Sequence, residues 1–169
     1  MSSTDLTDLL VEDHRILDRL CTELGLGQGS PEHRKDLADH LLATLTRHTV
    51  AEQRHLPGAA GSRQLAEAED LMHRLEAAGP QEPQFESLLG ALVRAIRRHT
   101  KEDERGVVDR LRADHSADEL RELGEQVVRD RRDAPTSPHP ATSDRPPGSQ
   151  VLMSGPGFVD RVRSAVDPG

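Results

Sequence analysis

His48 and Glu52 stand four residues apart, and so do His99 and Asp103. On an α-helix, at about 100° per residue, that spacing returns both side chains to one face. Each pair falls within an apolar stripe. Leu37, Leu41, Thr44 and Leu45 mark the first stripe, and Phe85, Leu88, Leu92 and Ile96 mark the second. An imidazole or carboxylate desolvated there is costly unless something compensates it, and a bound cation supplies that compensation. The pattern therefore points to metal ligation. Two separate surface ion pairs are the plainer alternative, but surface pairs have no reason to occupy an apolar stripe twice. Periodicity also selects Asp103 over Glu102 and Glu104, since Glu104 is turned about 100° toward solvent.

His14 stands between Leu10 and Leu17 on a third apolar stripe and is a candidate to join these pairs. His55 lies near the line of His48 and Glu52, which leaves two readings: a third ligand from one helix, or a histidine facing water at the helix end. A competing geometry uses the acidic-x-x-His spacing of di-iron carboxylate bundles, present as Glu52 to His55 and Asp70 to His73. It needs lone carboxylates such as Asp13 and Asp103, and it leaves His14, His48 and His99 without a role. His33, His40, His115 and His139 lack a carboxylate at ligand spacing on a shared apolar face and read as solvated.

The elements that must position these groups are helices. Thr4 is a plausible N-cap for a first helix running to the Gly25-Leu26-Gly27-Gln28-Gly29 break. Ser30-Pro31 reads as cap and first position of a second, which continues to Pro57-Gly58. A third starts near Ser62 and stops at Gly79-Pro80. The fourth extends from about Pro83 to Gly106 or slightly further. Ser116-Ala117-Asp118-Glu119 is a capping box that opens a shorter fifth helix. Short loops between four long helices predict an all-α, antiparallel up-down four-helix bundle.

Composition agrees. The chain has 169 residues, with Phe85 and Phe158 as its only aromatics besides histidine, so Leu, Ala and Val must fill one core. A net charge of −8 repels phosphates, and no basic stripe interleaved with aromatics is present, which argues against nucleic-acid binding. Cys21 is solitary, which excludes an intramolecular disulfide and a thiolate cluster, and it reads as a buried small hydrophobe. No apolar run approaches the roughly 18 residues of a membrane span, and the first residues lack a signal-peptide pattern. The expected location is the cytoplasm. Expected domains are the bundle over 1–132, a Pro-rich linker over 133–150, and a tail over 151–169. In that tail Phe158, Val159, Val162 and Val166 recur at helical spacing and predict a short helix docked on the bundle.

The chain resembles the hemerythrin-like, HHE cation-binding family in Glu12-Asp13-His14-Arg15, in HTVAE with the following Pro57, in AEAEDLMHRLEAAGP and in HTKEDE. The likeness extends through the Pro-rich linker to FVDRVRSAV, similar to the tails of bacterial relatives. It implies a four-helix bundle holding non-haem iron, usually a bridged pair, with His14, His48, Glu52, His99 and Asp103 at matching ligand positions. The third helix departs from the pattern: the family histidine falls at Leu65. His73 is that helix's remaining histidine, rotated about 80° from Leu65, and reads as a surface or outer histidine or as a displaced ligand. Imidazole and carboxylate donors suit iron and also accept zinc or manganese. The expected function is binding or sensing of dioxygen, peroxide or a related small ligand at a one- or two-iron centre. Peroxide breakdown of catalase type, iron oxidation, and a degenerate bundle serving as an interaction module are the alternatives.

Overall fold

The computed structural model describes residues 4–56, 62–132 and 155–167. Its regular elements are α1 (Leu6–Gly25), α2 (Pro31–His55), α3 (Ser62–Ala77), α4 (Pro83–Asp114), α5 (Ala117–Arg131) and α6 (Phe158–Val166), with no strand among the described residues. No described helix is long and apolar enough to cross a membrane. The linker expected over 133–150 lies outside the described residues.

Local chemistry sets the helix starts. Asp5, rather than Thr4, caps α1: its carboxylate accepts from the Asp8 N–H at 2.9 Å, and the Asp8 side chain reaches back to the Asp5 N–H. Ser30 caps α2 ahead of Pro31, whose missing N–H costs nothing at a first helical position. Ser116 and Glu119 form the expected capping box on α5. α4 runs on through Gly106 to Asp114, because Val108 and Leu111 keep the apolar period beyond the glycine and bury.

Around the molecule α1 packs on α2 and α4, α2 on α3, and α3 on α4, while α5 lies against α1 and α6 against α2. α6 changes the character of α2. Phe158, Val159 and Val162 enter the same apolar cluster as Leu17, Leu41, Leu42, Met72, Leu75 and Phe85. With α1 on one side and α6 on another, α2 buries nearly all of the stretch from Leu41 to Glu52 rather than a single stripe. Glu76, on α3, fastens α6 in place: its carboxylate accepts from the Gly157 N–H at 3.1 Å and the Val159 N–H at 2.7 Å, supplying the open donors of a helix start. Arg163 pairs with Glu69 alongside.

A second apolar cluster contains Leu6, Leu10, Ala51, Leu111, Leu120 and Val127. The two clusters lie at opposite ends of a polar layer. On α1, His14 stands between Leu10 of the second cluster and Leu17 of the first. On α2, His48 stands between Leu45 of the first and Ala51 of the second, and on α4 His99 and Asp103 stand between Ile96 and Leu111. α1 thus runs from one cluster to the other in the sense opposite to α2 and α4. Gly124 permits the close crossing of α5 over the start of α1, where a Cβ would meet the Thr4 carbonyl oxygen at 2.5 Å.

Candidate metal centre

Three helices bring their polar groups to one point between the apolar clusters. His14 from α1, His48 and Glu52 from α2, and Asp103 from α4 are all buried, and one potential ligand atom of each lies within 4.8 Å of the others. His48 Nε2 is 3.1 Å from Glu52 Oε1 and 3.5 Å from Asp103 Oδ2, and His14 Nε2 is 3.4 Å from Asp103 Oδ2. His99 closes the group from α4, its Nε2 lying 3.3 Å from Glu52 Oε2 and 3.4 Å from both Asp103 Oδ2 and His48 Nε2. Two donors that each sit about 2.1 Å from a common cation are about 3 to 3.5 Å apart, so the 3.1 to 3.5 Å separations suit a shared ion. The widest spacing of the group, up to 4.8 Å, would have to close around a single ion or be shared between two.

Hydrogen bonding among the donors leaves the centre unsatisfied. His14 Nε2, Glu52 Oε1 and Asp103 Oδ2 are buried and have no hydrogen-bond partner, although they approach one another. Buried polar atoms in folded proteins are nearly always paired, and these three converge on one point where a cation could meet all of them.

Charge in the layer is strongly perturbed. Burial works against protonation of His48, but Glu52, Asp103 and Asp13 outweigh it and raise its pKa well above 6.5. Burial would raise the Asp103 carboxyl, yet the adjacent His14 and His48 hold it far below the usual carboxylate range. Asp13 follows the same balance and is held at about 2, with His48 and Arg131 overcoming its desolvation.

A further ring of contacts orients the imidazoles. Asp13 Oδ2 lies 3.2 Å from His48 Nδ1, and Glu104 Oε1 lies 3.4 Å from His14 Nδ1. An ionised carboxylate only accepts, so each Nδ1 carries the hydrogen and each Nε2 is left for the centre. Glu104 is exposed, as its position on the helix predicts, but it touches the site all the same. Adjacent Asp13 and His14 are both buried because α1 has neighbours on two of its faces. In sequence Asp13 enters only as a lone carboxylate of the competing acidic-x-x-His geometry, not as the partner of His48, and nothing marks Arg131.

The remaining candidates lie elsewhere. His73 does not point at the centre: its Nδ1 meets Glu76 at 3.2 Å and its Nε2 approaches Asp160 at 3.9 Å, so it serves the α3–α6 contact. His55 is outside the group as well, in a narrow recess with Arg47, Arg54, Asp130, Arg131 and Val166 at the end of α2. Burial and the neighbouring Arg54 lower its pKa. Asp70 is exposed and pairs with Arg74 at 3.7 Å, so the acidic-x-x-His geometry is not assembled. His33 is exposed, whereas His40 and His115 are half-buried rather than solvated. His139 and the side chain of Leu65 lie outside what the structure describes.

No family model, curated protein or solved structure matches the chain.

Proposed function

We propose that this layer is a metal centre in which His14, His48, Glu52, His99 and Asp103 hold one or two divalent cations, non-haem iron in the first instance. The convergence of His14 Nε2, Glu52 Oε1 and Asp103 Oδ2, buried and without hydrogen-bond partners, carries the reading. Zinc or manganese fits the same imidazole and carboxylate donors. α1 to α4 then form an antiparallel four-helix bundle of hemerythrin-like type, consistent with the residue-level likeness of the ligand segments.

Iron bound there supplies redox chemistry and a coordination position for a small ligand such as dioxygen or peroxide. The chain's own residues do the rest. Two apolar clusters bracket the layer and exclude bulk water, so that proton delivery is restricted. His99, with 13% of its side chain exposed, stands nearest to solvent among the five and marks the side from which a small ligand enters. Absence of Tyr and Trp removes two common internal targets of oxidation. Binding or sensing of a small oxygen species in the cytosol is the function that follows.

The test is metal stoichiometry of protein purified after growth with added iron. One or two irons per chain with a charge-transfer band are expected, and absence of metal at saturating iron would overturn the reading in favour of an interaction bundle. Sustained peroxide turnover by the iron-loaded chain would assign peroxide breakdown instead of reversible binding.

A further inference from the structure

We propose that Asp13 and Arg131 are positioning residues that hold His48 in its metal-binding orientation, so that α5, which supplies no ligand, controls the affinity of the centre. The inference rests on the metal reading above. Arg131 Nη1 donates to Asp13 Oδ1 at 3.0 Å and Nη2 donates to Oδ2 at 2.9 Å, a two-point grip that fixes the carboxylate plane. Nη2 also donates to the Arg47 carbonyl at 3.1 Å. Arg47 directly precedes His48, so one guanidinium holds both the backbone at His48 and the carboxylate that its ring contacts.

Asp13 Oδ2 then accepts from His48 Nδ1, which leaves Nε2 facing Glu52, Asp103 and His99. An imidazole can present only one nitrogen to a cation in such a site, and the group on the other nitrogen decides which one and at what angle. The grip is also sheltered: 9% of the Asp13 side chain and 17% of the Arg131 side chain are exposed. Glu104 plays the corresponding part for His14 at a longer 3.4 Å and with 57% of its side chain exposed, which makes it a natural comparison. A freely hydrated carboxylate constrains its partner less than one clamped in the interior.

The test uses the full chain with zinc as a diamagnetic probe, its affinity measured by competition with a chromophoric chelator. Asp13→Asn and Arg131→Gln are each expected to weaken zinc about 10- to 100-fold, the usual range for outer partners of a ligating histidine. Glu104→Gln should change it by less than about threefold. Arg131→Lys should restore part of the loss, since lysine keeps the charge but not the two-point fork. Long-range nitrogen spectra of the His48 ring supply a readout that a purely structural role would not move: Asp13→Asn must shift the Nδ1 resonance in both the metal-free and the zinc-bound chain. Affinities within about twofold of the parent for Asp13→Asn and Arg131→Gln, or an unmoved Nδ1 resonance, would overturn the inference. A parent chain that takes up neither zinc nor iron sinks the metal reading separately, and the metal-free ring spectra still decide whether Asp13 sets the ring.

Discussion

The Nε2 atoms of His48 and His99 face each other at 3.4 Å, one on α2 and the other on α4. Glu52 spans the pair, with Oε1 toward His48 and Oε2 toward His99. Two lone pairs across that gap would repel, so a hydrogen on one Nε2 or a cation between them must join the rings. A proton serves the metal-free chain, a cation would replace it in the proposed metal centre, and the consequences of that exchange can be measured.

Removing the central donors should empty the centre, while removing the outlying histidines should not. His48→Ala and Glu52→Gln are expected to bring iron per chain, measured by elemental analysis, to background. His55→Ala and His73→Ala should retain the parental content, because neither ring lies in the donor group. Parental iron in His48→Ala would show that the ligands have been misassigned.

Stability of the metal-free chain should peak under mildly acidic conditions. The raised pKa of His48 means that its protonated ring stabilises the fold fully below about pH 6.5, a contribution lost as pH climbs through the folded-state value. Asp13 works at the other end: held at about 2 against an ordinary 3.8, it contributes above pH 3.8 and loses that contribution as pH falls toward 2. The Asp13 share amounts to about 2 kcal/mol at 1.36 kcal/mol per unit. Urea midpoints should therefore be highest between about pH 4 and 6.5. Midpoints that rise steadily from pH 6 to about 9 would contradict this assignment.

Metal uptake should release protons. A cation must displace the hydrogen from His48 Nε2, so apparent affinity is expected to increase with pH across the neutral range. Titrating zinc into weakly buffered protein and following an indicator dye measures the release directly. An affinity independent of pH would place the cation on groups other than His48.

Gly124→Ala should destabilise the fold and weaken the centre together. The new Cβ would meet Thr4 O at 2.5 Å, Asp5 C at 2.8 Å and Leu6 N at 2.9 Å, all backbone atoms that cannot rotate away. α5 must move off α1, at a cost of about 1–3 kcal/mol. Because Arg131 ends the same helix, calorimetry should show a lower Tm and the chelator assay a weaker zinc affinity.

Detaching α6 tests how the second face of α2 is covered. Phe158→Ala leaves a void in the main core and is expected to cost about 3–5 kcal/mol. Glu76→Ala removes the acceptor for the Gly157 and Val159 N–H groups and should cost about 1–2 kcal/mol, in line with other lost helix caps. Limited proteolysis should then cut near α6 in both variants before it cuts the rest of the chain. Unchanged cleavage would mean that α6 contributes little to the core.

The helices and the histidine–carboxylate pairs were legible along the chain because both depend on a short-range period. Ser30-Pro31 and Ser116 to Glu119 announce helix starts through neighbours three residues away or fewer. His48 with Glu52, and His99 with Asp103, need only the turn of one helix to share a face. Even the depth of α6 is written in the spacing of Phe158, Val159, Val162 and Val166. His73 illustrates the limit: its rotation off the stripe is visible in sequence, but Glu76 and Asp160 as its partners are not.

Residue order alone therefore determined which groups each helix presents: an apolar face interrupted by imidazole and carboxylate at a fixed spacing. Tertiary structure decided what those groups meet. It set His48 against Asp13, brought Arg131 to Asp13 across 118 residues of chain, returned Glu104 to His14 despite its outward position, and turned His73 to the tail. The physical reason is that helical periodicity is an internal property of about four residues, whereas the partner of a buried charge is chosen by whichever distant helix packs against it.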